Sequence, residues 1–223
     1  MMHKLLPPSP LWIETQKYEL IYHPKIESVS IFYVTLHPNR EIMQKLSQWL
    51  LKSAGWKMIL TQEEPAKSVI CVAPHTSNWD FIIGKLSYWA VNRKTSFLMK
   101  QSWFFFPLGN FLRAMGGVPI DRSKRTSVTQ QMADEYARRE HFHLGITPEG
   151  TRGRVKKWKM GFYHIAVKAG VPIELAYIDY KKKEMGIKMI ITPSGDEKAD
   201  MDIIRKYYSD VTACFPEKFN KDF

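Results

Sequence analysis

Cysteine is almost missing from this chain. Cys71 and Cys214 are the two present in 223 residues. Thiols this far apart supply neither a disulfide framework nor a metal-ligand set. No metal is therefore expected, and the expected setting is reducing and cytoplasmic, with both cysteines structural. Long apolar runs are missing too: none approaches the ~20 residues of a spanning helix. The first residues lack the charged-then-apolar-then-small order of a secretory signal. A chain that is soluble, or lies on a membrane rather than through it, is expected. Acidic residues are in deficit, 22 Asp+Glu against 33 Lys+Arg, for a formal net charge of +11. Such a surface suits nucleic acid, an anionic membrane or a phosphorylated substrate. Repeats, low-complexity tracts and recognisable nucleic-acid-binding motifs are absent, which removes the support a nucleic-acid reading would need.

What remains is enough for one well-cored domain, with 44% hydrophobic and 25% charged residues. Residues 1–41 stand apart. They hold five of the thirteen prolines (Pro7, Pro8, Pro10, Pro24 and Pro38) and little periodicity. Proline removes a backbone donor, so this stretch reads as an extension, with at most a short strand at 31–36. Residues 42–223 read as the domain proper. It opens on an amphipathic helix over 39–54, where Ile42, Leu46, Trp49, Leu50 and Ser53 recur at helical spacing. That helix packs on its own domain or rests in a membrane interface with Trp49 at headgroup depth, and the two are compatible if one face does each job. Strand and helix patterns then alternate. Strands are expected at 56–60, 68–73, 95–99, 117–120, 142–147, 172–180 and 187–191. Helices are expected at 79–91, 127–140, 162–168 and 200–208. This alternation predicts an α/β fold, a largely parallel sheet flanked by helices.

Two polar stretches interrupt the apolar runs. In the first, His75 follows the strand at 68–73 and Asp80 comes five residues later, at the head of the next helix. Ligands of open α/β sheets bind beyond the carboxyl ends of the strands. A loop at His75 that turns into a helix at Asp80 lets the carboxylate fold back on the imidazole. Such a pair does general-base chemistry, one ring nitrogen taking a proton while the carboxylate orients the other. Thr76, Ser77 and Asn78 serve the turn and the cap. On residue types alone, a structural turn explains His75 and Asp80 equally well. The second stretch is Glu149-Gly150-Thr151-Arg152, after the strand at 142–147. Gly150 allows close backbone approach, Thr151 offers a hydroxyl and Arg152 can grip a phosphate in two places. Glu149 can bind acceptor hydroxyls or orient an arginine. Arg122 ends another strand pattern and can converge on the same phosphate. Residues 100–159 carry twelve Lys/Arg and five Asp/Glu, so +7 of the net charge gathers here.

Taken in order, these residues resemble the glycerolipid acyltransferase family, which contains the lysophosphatidic acid acyltransferases. His75 and Asp80 match its His-x-x-x-x-Asp signature. Gly-Val-Pro-Ile-Asp-Arg at 117–122, Pro-Glu-Gly-Thr-Arg at 148–152 and Val-Pro-Ile at 171–173 resemble its next three blocks. The resemblance implies transfer of a fatty acyl group from a thioester, on coenzyme A or acyl carrier protein, to the hydroxyl of a phosphorylated lipid acceptor. It implies His75 as base, Asp80 as its orienter, and Arg122, Glu149, Gly150, Thr151 and Arg152 at the acceptor. No bound cofactor is implied, and a peripheral place on an anionic membrane surface is. Acylation of an aminoacyl lipid or another lysolipid stays open, as does a non-catalytic basic protein binding membrane or nucleic acid. The aromatic run at 103–108 is one candidate lining for the acyl chain, and core material otherwise.

Overall fold

A computed structural model describes residues 40–61, 64–121, 123 and 127–223. The expected strand at 31–36, nearly all of the expected 1–41 extension, and Arg122 lie outside them. The described chain runs α1 (Arg40–Ser53), β1 (Lys57–Leu60), β2 (Lys67–Val72), α2 (Asn78–Ala90), β3 (Ser96–Lys100), α3 (Leu108–Ala114) and β4 (Gly117–Ile120). It continues through α4 (Val128–Arg138), β5 (Phe142–Ile146), α5 (Gly161–Ala169), β6 (Ile173–Asp179), β7 (Glu184–Ile191) and α6 (Glu197–Tyr208). The strands form one sheet in the order β1-β7-β6-β2-β5-β3-β4. Five of its six pairings are parallel, and β6–β7 is the antiparallel one. The largely parallel α/β fold expected from the sequence is what forms.

β2 lies in the interior of this sheet, between β6 and β5. Its Ser-Val-Ile-Cys run is fully buried because helices cover both faces. Alternation divides those side chains. Val69, Cys71 and Ala73 join Leu144, Leu175, Phe162, Ile165, Ile204 and Tyr208 in the larger core beneath α4, α5 and α6. Burying each large apolar side chain there is worth about 1.5–3 kcal/mol. Ile70 points the other way, with Ala176 and Ile187, toward α2. That face is packed more thinly, a difference the site exploits. β4 tolerates Pro119 because it is an edge strand, paired on one side only.

α1 packs on its own domain through one face, against α2, as one of its expected roles has it. Ser47 and Leu51 are its buried residues, and Gln44 and Gln48 donate to the Ala90 carbonyl at the end of α2. Ile42, Leu46, Trp49 and Leu50 are all exposed, Trp49 at 64%. The apolar stripe therefore does not pack on the domain.

Candidate active site

β2 ends one residue before Ala73, and the chain turns through His75 into α2. Ser77 is the N-cap, accepting from the Trp79 amide at 3.1 Å. Asp80, in the first turn, accepts from the Thr76 and Ser77 amides at 2.7 and 2.8 Å through Oδ2. The Ser77 amide is an orphan donor of the helix start and the Thr76 amide lies just before it, and a carboxylate there also meets the positive end of the helix dipole. The same oxygen lies 3.5 Å from His75 Nδ1. The folding-back expected of the loop is thus achieved by capping. The other oxygen, Oδ1, accepts from the Tyr180 hydroxyl at 2.6 Å. Burial pushes the Asp80 pKa up, but His75, Tyr180 and the two amides outweigh it, and the net direction is down. Asp80 is held as an anion in a nearly dry place.

The second stretch arrives because β5 is the parallel neighbour of β2, with Cys71 beside Ile146. Both loops therefore leave the same edge side by side. Glu149 is buried and accepts from the His75 amide at 2.8 Å. Burial pushes its carboxyl up to about 7, against the His75 amide and ring, with the Asp80 charge adding to the rise. Gly150 adopts φ +66°, where side chains are strained, and lies against the Lys159 ammonium chain. The Thr151 hydroxyl accepts from the Gly153 amide at 3.3 Å, within its own turn. The exposed Arg152 reaches back to Asn78 Oδ1 at the start of α2. His75, Asp80, Glu149, Gly150 and Arg152 are brought together. Thr151, between Gly150 and Arg152, keeps its hydroxyl within its own turn. β4 ends on the same edge as β3 and β5.

A cavity of about 1030 Å³ opens beside these groups. His75, Asn78, Asp80, Gly150, Arg152 and Lys159 line its polar mouth. From there it runs between α2 and the sheet, over Ile70, Val72 and Gly145 and under Phe81, Lys85 and Tyr88. Trp103 to Leu108, one expected lining for an acyl chain, do not line it; Trp103, Phe105 and Phe106 are exposed instead. Sequence reading missed Tyr180 and the apolar face under α2. Tyr180 has no motif of its own, and the cavity arises from side chains distant in sequence. Lys159 was visible as part of a basic run, without a reason to single it out.

This is an α/β protein with a His–Asp pair at the carboxyl edge of its sheet and cationic groups beside an apolar cavity. The chain belongs to the Acyltransferase family, which matches residues 43–176, more than half of its length. The 1-acyl-sn-glycerol-3-phosphate acyltransferase of Borreliella burgdorferi is 33% identical over 159 residues, 68% of this chain and 61% of that protein. The protein of the same name from Escherichia coli K12 is 29% identical over 119 residues, 51% of this chain and 47% of that one. The chain thus matches about half to three-fifths of these relatives' lengths. The crystal structure of the 1-acyl-sn-glycerophosphate (LPA) acyltransferase PlsC from Thermotoga maritima aligns with a TM-score of 0.52, covering 83% of this chain and 88% of that one. At 18% identity that likeness is one of fold.

Proposed function

We propose that this protein transfers a fatty acyl group from a thioester of coenzyme A or acyl carrier protein to the hydroxyl of a lysophosphatidate-type acceptor. The observation that carries the reading is the His75–Asp80 pair, 3.5 Å apart, at the cationic mouth of a large apolar cavity. With Nδ1 turned to Asp80, Nε2 is the atom that takes the acceptor's hydroxyl proton as its oxygen attacks the thioester carbonyl. The tetrahedral intermediate collapses to the ester, the C–S bond breaks, and the imidazolium returns the proton to the leaving thiolate. Arg152 and Lys159 face the acceptor phosphate, joined by Arg122. Gly150 and Thr151 shape that loop. Glu149 acts through the His75 backbone rather than on the acceptor. The acyl chain lies in the cavity under α2. The exposed apolar face of α1, with Trp79 and Phe106 also exposed, rests on an anionic bilayer from which the lipid acceptor comes.

Purified protein, labelled acyl thioesters and a panel of lysolipids, including lysophosphatidate and an aminoacyl lysolipid, test the reading. His75→Ala is expected to lose at least a hundredfold in kcat with an unchanged far-UV spectrum and Tm. Arg152→Ala is expected to raise the acceptor KM by about tenfold while kcat moves little. Substantial turnover by His75→Ala would end the mechanism, and turnover of the aminoacyl lysolipid alone would replace the acceptor.

A further inference from the structure

The chain that follows α6 touches, in order, the segments leaving the carboxyl ends of β6, β2 and β5. The Thr212 carbonyl accepts from the Tyr180 amide at 2.9 Å. The Phe215 amide donates to the buried Thr76 hydroxyl oxygen at 3.2 Å, one residue from His75. The Asn220 side-chain amide donates to the Lys156 carbonyl at 3.1 Å. The Phe223 ring lies flat on Trp158, with centroids 3.5 Å apart and planes 6° from parallel. Arg205 of α6 fixes Phe223 in turn, donating to its backbone oxygen at 2.6 and 2.8 Å. β6, β2 and β5 are successive neighbours in the sheet, so this segment crosses the whole His75 side of the site.

The last two contacts bear on Lys159. Trp158 is buried, and besides Phe223 it meets Phe162 and Tyr208 edge-on. The next amide, that of Lys159, donates to the Pro148 carbonyl at 2.8 Å. The Lys159 side chain then lies over Gly150, where a Cβ would come within 2.8 Å of its ammonium nitrogen. An ammonium on a flexible four-carbon stem grips a phosphate as a point charge, so its aim depends on where the backbone holds the stem. We propose that residues 212–223 form a brace that positions Lys159 for the acceptor phosphate, with Phe223 and Asn220 as positioning residues. This rests on the reading of Lys159 as a phosphate ligand. Because the same segment holds Thr76, the phosphate and His75 are kept in one frame, which is what an oriented attack requires.

Binding to the full chain, read as a double-mutant cycle, tests this without turnover. Calorimetry gives dissociation constants for lysophosphatidate and for the monoacylglycerol of the same chain, which lacks the phosphate. Wild type is expected to prefer lysophosphatidate, and Lys159→Ala to cut that preference about tenfold. Phe223→Leu is expected to cut it about fivefold and Asn220→Ala about twofold, with monoacylglycerol binding unchanged. Lys159→Ala and Phe223→Leu combined are expected to lose no more than Lys159→Ala alone, because both act through one ammonium. The proposal is overturned if wild type shows no preference, if the two losses multiply, or if Phe223→Leu and Asn220→Ala lower Tm and leave the preference intact. The expected cycle without acyl transfer would count against the proposed reaction alone. Acyl transfer with losses that multiply would count against this inference alone.

Discussion

Asp80 holds two positions with one carboxylate. It closes the amino end of α2, and it faces the His75 imidazole. The helix start supplies two amides, and Tyr180 supplies a third donor at 2.6 Å. Burial and the Asp80 charge both push the Tyr180 phenol up, so it remains a donor. Tyr180→Phe removes that donor alone. Hydrogen bonds to charged groups are worth roughly tenfold or more in rate when removed. The variant is expected to lose about ten- to a hundredfold in kcat with acceptor KM unchanged. Its Asp80 pKa also rises toward the ordinary value. Stability from a depressed carboxylate is lost as pH falls through its folded pKa, so the acid-unfolding midpoint of Tyr180→Phe is expected at higher pH than wild type. An unmoved midpoint would show that Tyr180 does not hold the carboxylate.

Glu149 has the opposite sign. Its folded pKa, about 7, lies above its ordinary 4.5. Its favourable contribution is complete below 4.5 and is lost as pH rises through 7. Glu149→Gln keeps an oxygen for the His75 amide and cannot ionise. Relative to that variant, wild-type Tm is expected to fall between about pH 4.5 and 7 and to run parallel above. Differential scanning calorimetry across that range decides it. A wild-type curve parallel throughout would mean that Glu149 ionises as an ordinary surface acid. The sequence offered Glu149 as an acceptor ligand or as a group that orients an arginine. Neither describes its contact, because its chain neighbours say nothing of β2 lying alongside.

At the scale of elements, the space under α2 depends on glycine. Gly145 sits on β5 beside Ile70 and lines the cavity. A Cβ added there would meet only the Ser96 carbonyl oxygen, at 3.6 Å. Gly145→Leu is therefore expected to fold and to fill the cavity. Its kcat/KM with long-chain thioesters should drop at least tenfold, while short-chain thioesters change less than threefold. Equal losses for both would place the acyl chain elsewhere. The element pattern itself was largely legible. Expected strands at 68–73, 117–120 and 142–147 agree with β2, β4 and β5 to within about a residue at each end. β7 was expected to start at 187 and starts at Glu184, because Gly186 and the charged run ending at Glu184 break the apolar pattern that marks a strand. Of the three residues expected to serve the turn and the cap, Ser77 is the cap, its side-chain oxygen accepting from the Trp79 amide.

At the scale of the molecule, charge and exposed apolar surface act together. Net charge is +11, and no helix among the described residues is long and apolar enough to cross a membrane. Vesicles containing anionic lipid are expected to bind the protein, and binding should weaken as salt shortens the Debye length from roughly 30 Å to a few ångströms. Trp49→Ala should cut that binding by about tenfold, because an interfacial indole buries much apolar area. The same change should leave Tm nearly unmoved, since Trp49 is 64% exposed. Co-sedimentation with neutral and anionic vesicles measures both effects. Equal binding to the two vesicle types would remove the electrostatic part.

Periodicity, turn residues and spacing by themselves determined the α/β class, the sheet's parallel character and the placement of His75 and Arg152 after strand ends and of Asp80 at a helix start. These are local properties: a strand's alternation and a helix's first turn are written within a few residues. The tertiary structure alone decided that β2 and β5 are neighbours, and hence that Glu149 supports His75 from below. It alone set Tyr180 against Asp80, a hundred residues away. It also opened the cavity under α2 rather than along 103–108. Strand order and packing depth come from contacts between segments far apart in the chain, and no local pattern encodes which segments those are.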